Sequence, residues 1–456
     1  MRRLWLEQAF LPEGWASGVA LDIDGSGRIA GLAANAPLAD RETVPGCVLP
    51  GLPNLHSHGF QRAMSALAQR RRAAAEDFWS WRGVMYRTAL ALPPDDIAAV
   101  TAMAFMEMLE RGFTAVAEFH YLHNDSAGAP YADPAELATR VIEAAAQTGI
   151  GLTLLPVLYS AAGPNRPPEP GQRRFITDLD GFLRLHAATA ERLRALPGAV
   201  LGAAPHSLRA ARAADVAALS GLLPEGPLHI HAAEQTGEVA EVEAALGARP
   251  VEFLLREAGV DARWCLIHAT HMTAEETAGL ARAGAVAGLC PITEADLGDG
   301  IFNGNAFIDA GGRFGVGTDS NVAIEAPAEL RQLEWSQRLR DRRRLVLADS
   351  ARDGGSTGAA LYRAALAGGA QALAQPIGAI ALGCRADLVS LRRAGTDLAA
   401  LSAETRLDHY IFAGGARLVD HVYVAGRCLV REGRHDARAA IESRFAAALR
   451  RLEDAL

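Results

Sequence analysis

The chain has 456 residues, half of them hydrophobic and 21% charged, with a formal net charge of -8; a large core can be buried, and the negative balance argues against a nucleic-acid binder held by phosphate contacts. All 45 basic residues are arginine, which excludes a lysine Schiff base, a P-loop lysine and a carbamylated lysine bridging two metals. The five cysteines are scattered without a C-x-x-C spacing, so buried thiols in a reducing compartment are expected, not a disulfide framework or a cysteine zinc knot.

The chain opens with "MRRLWLEQAFLPEGW", where Glu7 and Pro12 interrupt any apolar run, so no signal peptide is read. "GVALDIDGSGRIAGL" sets two apolar stretches around Asp-Gly-Ser-Gly and predicts a hairpin. The run "CVLPGLPNLHSH" follows and ends in His56 and His58. From there apolar strand-like runs alternate with Ala/Leu/Arg stretches: "FTAVAEFHY", "PAELATRVIEAAAQTG", "IGLTLLPVLYS", then "AVLGAAPHS", "PLHIHAAE", "CLIHAT", "AVAGLCP" and "RFGVGTDS". Such alternation predicts βαβ units and a parallel sheet, and eight or so repeats predict an α/β barrel of the TIM type. The longest apolar stretch, "IGLTLLPVLYSAAG", is too short for a bilayer and contains a proline, so no membrane association is expected and the default location is the cytoplasm.

The Pro-rich 162–175 segment reads as a long βα loop, and such loops lie at a barrel's active mouth. Arg70 to Arg72 and the basic run at 338–344 read as solvated helix faces. "RADLVSL" and "HVYVAGRCLV", with Gly426 at a turn, are β-rich, so both ends of the chain predict strands of one small sheet.

Polar residues collect where the apolar runs end: His56 and His58; His120, Tyr121 and His123; His206 and Arg209; His231 and Glu234; His268 and His271; Asp319 and Asn321. In a closed parallel barrel these ends share one mouth, and there they read as catalytic. Two histidines at i and i+2 on a strand face the same side and can share one metal ion. With a third histidine and an aspartate from later strand ends, a His/His/His/Asp set suits zinc, with iron or manganese also compatible. His229 reads as a core histidine, His271 as a loop residue, and Trp79 and Trp81 as packing residues able to cap the site. Gly59 is expected to let the chain leave the strand sharply, so that Gln61 turns back toward the metal.

The set "LPNLHSH", "HIHAAE", "LIHATH" and "GTDS" resembles the amidohydrolase superfamily over essentially the whole chain. That resemblance implies a (β/α)8 barrel, residues 49–375, flanked by a small β-sandwich from 1–48 and 376–456. It implies one zinc per chain held by His56, His58, His231 and Asp319. Glu234 becomes the proton-shuttling carboxylate, His268 the catalytic histidine, and Asp319 orients the reacting water as well as ligating. The missing lysine agrees with a single metal. "HSHGFQRAM", "FWSWRGVMYR", "EFHYLHND", "APHSLR", "HAAEQTGEV" and "CPITEADLGDGIF" together resemble the formimidoylglutamate deiminase family of histidine degradation, although Asp296 stands where that family is expected to have Asn. The implied substrate is a formimino amino acid, gripped by Gln61, Arg82, Tyr121, His206 and Arg209, in a homodimer. Arginine suits such a dianion because its fork pairs with carboxylates. The other enzyme reading is a related deaminase acting on guanine, an adenosine derivative or a similar heterocycle, which would need aromatic stacking and amide-like contacts. A catalytically silent binding relative would be expected to have lost ligands, and all are present here.

Overall fold

The computed structural model describes residues 2–70 and 77–456. Arg71 and Arg72 of the first basic run lie outside the described residues, and Arg70 is exposed in a bend.

The N-terminal strands are β1 (Arg2–Leu11), β2 (Gly14–Ile23), β3 (Ile29–Ala33) and β4 (Glu42–Pro50). The predicted hairpin is the antiparallel β2–β3 pair. Eight parallel strand positions then follow: β5 (Leu52–Ser57), β6 (Phe113–His120), β7 (Gly151–Leu158), the interrupted β8 (Val200–Leu201) with β9 (Ala204–Pro205), β10 (Leu228–Ala232), β11 (Trp264–His268), β12 (Val286–Leu289) and β13 (Arg313–Val316). Each neighbouring pair is parallel, and bridges Ala203–Leu228 and Ser207–His231 join the two halves. The eighth position returns to the first. Thr318 and Asp319 both donate their N–H to His56 O at 3.0 Å, and His58 N–H donates to Asp319 O at 3.0 Å. β5, β6, β7 and β10 to β12 are buried throughout because helices cover them outside and side chains fill the barrel inside.

Two helices between β5 and β6 shape the mouth. α1 (Phe78–Ala91) starts at Asp77, whose carboxylate accepts the Trp79 and Ser80 N–H groups, both at 3.0 Å. α2 (Pro94–Glu110) begins on a proline with Asp95 and Asp96 in its first turn, where the helix dipole favours negative charge.

The chain closes with β14 (Leu388–Leu391), β15 (Val419–Val424), β16 (Arg427–Arg431), β17 (Arg434–His435) and a helix at Arg438–Ala455. The four strands join the N-terminal ones in a single sheet, order β17-β16-β15-β14-β4-β1-β2-β3. The sheet has its own core of Leu4, Leu6, Leu21, Val44, Leu388 and Tyr423, among others. The final helix leaves the sheet and lies on the barrel: Ala448 and Leu452 pack with Ile97 and Val100 of α2, and Arg451 pairs with Asp96. No described helix is long and apolar enough to cross a membrane.

Candidate metal centre and active site

β5 ends in His56 and His58, β10 carries His231, and Asp319 follows β13. One ligand atom from each lies within 4.8 Å of all the others. His56 Nε2 is 3.1 Å from His231 Nε2 and 3.4 Å from Asp319 Oδ1, and His58 Nε2 is 3.3 Å from the same oxygen. His58 Nδ1 donates to Phe119 O and His231 Nδ1 to His206 O, each at 2.9 Å. A carbonyl only accepts, so these bonds place the ring proton on Nδ1 and leave a lone pair on Nε2. Lone pairs and a carboxylate oxygen thus converge at 3.1–3.4 Å, close to the edge of a tetrahedron with bonds of about 2.0–2.1 Å. That donor set fits one divalent transition metal. Burial pushes His56 down to about 3, and although burial alone would raise Asp319, its bonds with His56 and His58 hold it well below the usual carboxylate range. Neutral imidazole and ionised carboxylate are the ligating forms.

Beside this group stand His268, at the end of β11, and Glu234, two residues past β10. His268 Nε2 is buried without a hydrogen-bond partner, 3.7 Å from Glu234 Oε1 and 3.8 Å from Asp319 Oδ2. Burial works against its protonation and the carboxylates Glu234, Glu294 and Asp319 push it up to about 10; a divalent cation held by Asp319 would offset that negative charge and return the ring toward its neutral, proton-accepting form. His268 and Asp319 both have left-handed backbones, φ 67° and 45°. A non-glycine residue there is strained, and strain held in place by its surroundings gathers at functional sites.

The cleft above these groups is lined by all five residues expected to hold substrate. Gln61 Nε2 donates to Tyr121 OH at 2.6 Å. Arg209 donates to Glu234 Oε2 at 2.8 Å, lies 3.7 Å from Glu238 and stacks over Phe78, 5.2 Å from the ring centroid. Arg82, on α1, stacks over Trp79 at 4.4 Å and has no acidic partner among the described residues.

The remaining histidines stand apart from the ligand group. His229 donates to Ala372 O at 2.8 Å deep in the barrel, His123 to Val157 O at 2.8 Å, and His271 to Asp299 O at 2.7 Å. His120 pairs edge-on with His123. The short helix Gly59–Met64 opens just after β5 and Gln61 lines the cleft, and close packing gives Gly59 a further reason to be glycine. Its φ is not left-handed; instead an added Cβ would lie 2.9 Å from Thr101 and 3.2 Å from Glu118, whose carboxylate accepts the Gly59 N–H at 2.6 Å.

Several roles here escaped the sequence reading, including that of Asn321, read there only as a polar strand end. Asn54 bonds Thr318 through both side-chain atoms, and Asn321 donates to Ser57 Oγ and His58 O, so the first and eighth strand ends are knitted together. Glu238 accepts the Glu234 N–H at 2.9 Å. Gln172, from the Pro-rich loop, donates to Tyr159 OH at 3.0 Å and Tyr86 OH at 3.1 Å. That loop is therefore part of the cleft wall. The available signals were Asn54 inside "LPNLHSH" and a glutamine in a loop already placed at the mouth.

A sequence model of the Amidohydrolase family matches residues 47–429. The chain is 49% identical over 440 residues to formimidoylglutamate deiminase of Pseudomonas aeruginosa, covering 95% of this chain and 96% of that one. It is 28% identical over 397 residues to 5-methylthioadenosine/S-adenosylhomocysteine deaminase of Natronomonas pharaonis, covering 85% and 82%. The crystal structure of an amidohydrolase from Brucella melitensis superposes with a TM-score of 0.94 at 47% identity, covering 99% of this chain and all of that one. With a parallel barrel, a sheet from both termini and a His/His/His/Asp group at the strand ends, this chain is a hydrolase and belongs to the amidohydrolase family.

Proposed function

We propose that this protein hydrolyses N-formimino-L-glutamate to N-formyl-L-glutamate and ammonia, a step of histidine degradation, using one zinc held by His56, His58, His231 and Asp319. The observation that carries the substrate assignment is the pair of arginines at the cleft. Arg82 and Arg209 are each stacked on an aromatic ring of α1 and both line the cavity that holds His268 and Glu234. A substrate with two carboxylates and a neutralisable C–N group matches two guanidinium forks beside an acid–base pair. The 49% identity to a formimidoylglutamate deiminase supports the same reading.

A zinc held by His56, His58, His231 and Asp319 would lower the pKa of a water beside it to about 7 and supply Lewis acidity to the reacting C–N group. The water oxygen adds to the formimino carbon, and the bond from that carbon to the terminal nitrogen breaks. Both water protons end on that nitrogen, which leaves as ammonia. His268 Nε2, unpartnered and facing Asp319, accepts the first proton. Glu234 Oε1, 3.7 Å from that nitrogen, passes a proton to the departing amine. Positioned proton transfer of this kind contributes about 10²–10⁴-fold. Arg209 and Glu238 hold Glu234 by its carboxylate and its backbone N–H. Gln61, Tyr121 and His206 complete the grip from the cleft floor.

Five thiols without a disulfide suit a reducing cytoplasm. Exposed Trp335 and Leu339, one turn apart on the helix Ala326–Asp341, supply apolar surface for a homodimer. Ammonia release with metal analysis on the same sample tests the proposal. N-formimino-L-glutamate is expected to turn over at about one zinc per chain and guanine to be inert; turnover of guanine alone would replace it with the heterocycle reading.

A further inference from the structure

Glu294 is a buried carboxylate that the chemistry above leaves unused. It belongs to the short helix Pro291–Leu297, which follows β12 at the mouth, and is 5% exposed. Its Oε1 lies 3.2 Å from His268 Nδ1 and also accepts the Cys290 backbone N–H at 2.8 Å. A carboxylate accepts, so the ring proton between them sits on Nδ1. The opposite nitrogen, Nε2, is then the one facing Glu234 and Asp319, and it has no other partner. His268 also has a left-handed backbone, φ 67°, so an ordinary strand-end geometry does not aim its ring. The Cys290 N–H anchors that same carboxylate oxygen.

We propose that Glu294 is the positioning residue of His268. It fixes the ring orientation and the tautomer, holding Nδ1–H toward the helix and the Nε2 lone pair toward the attacking water. This rests on the reading of His268 as proton acceptor in formimino hydrolysis. A carboxamide at 294 loses the charge and can offer an N–H as well as an oxygen, so it no longer dictates which ring nitrogen carries the proton.

The test compares wild type, Glu294→Gln and Glu294→Asp, each zinc-loaded. Glu294→Gln is expected to keep one zinc per chain and a KM within about threefold, while kcat falls about 10–100-fold, the usual effect of removing such an outer partner. Glu294→Asp is expected to recover part of kcat. Proton NMR of the zinc-loaded, ¹⁵N-histidine-labelled protein reads the tautomer without turnover. The downfield Nδ1–H signal of His268, identified by its loss in His268→Asn, is expected to leave the strongly hydrogen-bonded range in Glu294→Gln. Unchanged kcat, metal loss in step with kcat, an unmoved Nδ1–H signal, or a second metal lost with Glu294 would each overturn the proposal. Wild type inert on N-formimino-L-glutamate would overturn the functional reading instead, and the NMR comparison would still decide the role of Glu294.

Discussion

The mouth of the barrel has two sides built in different ways. The metal side is made of strand ends: His56, His58, His231 and Asp319 are all at most 5% exposed, and they are aimed by bonds to backbone carbonyls or to one another. The wall opposite is made of appended segments, α1 and the Pro-rich loop: Gln172 ties the loop to Tyr86 of α1 and to Tyr159, and Arg82 stacks on Trp79 within α1. Trp79 is 40% exposed. The metal side therefore inherits its rigidity from barrel closure, whereas the wall can change without disturbing it. On the function proposed above, chemistry is set on one side and substrate choice on the other.

That division can be broken by variants on each side. Asp319→Ala removes a ligand that is also part of the strand seam; metal is expected to be lost and kcat/KM to drop by about 10³-fold or more. Metal analysis with zinc add-back checks this, and full metal retention would contradict the ligand assignment. Behind the metal side, burial pushes Glu118 up to about 7, above its ordinary 4.5. The raised value means that its contribution to stability is complete below about pH 4.5 and is lost as the pH rises through 7. Wild type is expected to lose about 3 kcal/mol more than Glu118→Gln between pH 4.5 and 8. Parallel melting curves for the two proteins would show that this carboxyl is not kept neutral by the fold.

On the wall, Arg82→Gln is expected to raise KM about 10–100-fold, the scale of one charged hydrogen-bonded contact, and to leave zinc content and most of kcat intact. A parallel fall in metal content would erase the distinction between the two sides. The smallest effect is expected from Gln172→Ala, which unties the loop from α1: a rise in KM of about 3–10-fold, with guanine and other poor substrates gaining relative to the formimino compound. Steady-state kinetics on both substrates reads it directly.

The His/His/His/Asp group was legible in the sequence because each member closes an apolar strand run, and periodicity marks strands and their ends. The wall was less so. Arg82 and Gln172 lie on a helix and in a loop whose orientations depend on contacts between segments far apart in the chain. Glu238 and Glu294 are a helix carboxylate and a short-helix carboxylate by pattern, and only the fold turns them inward. The close packing at Gly59 was not legible because its neighbours, Thr101 and Glu118, arrive from α2 and β6. The final helix likewise carries no mark in sequence that it will leave the sheet and dock on α2.

The sheet built from both termini has a consequence for synthesis. β4 pairs with β1 on one edge and with β14 on the other, and its Pro50 meets Leu388 across that second edge. The partner is made long after β4 emerges from the ribosome, a delay of tens of seconds at ~5–20 residues per second. During that time one edge of β4 stands open to pairing with a neighbouring chain. Its sequence, ETVPGCVLP, places Pro45, Gly46 and Pro50 along the strand, with Gly46 at φ 81° and its N–H taken by Glu7. Prolines and an irregular glycine make a poor template for a foreign strand, so the waiting edge carries its own protection against aggregation on the ribosome.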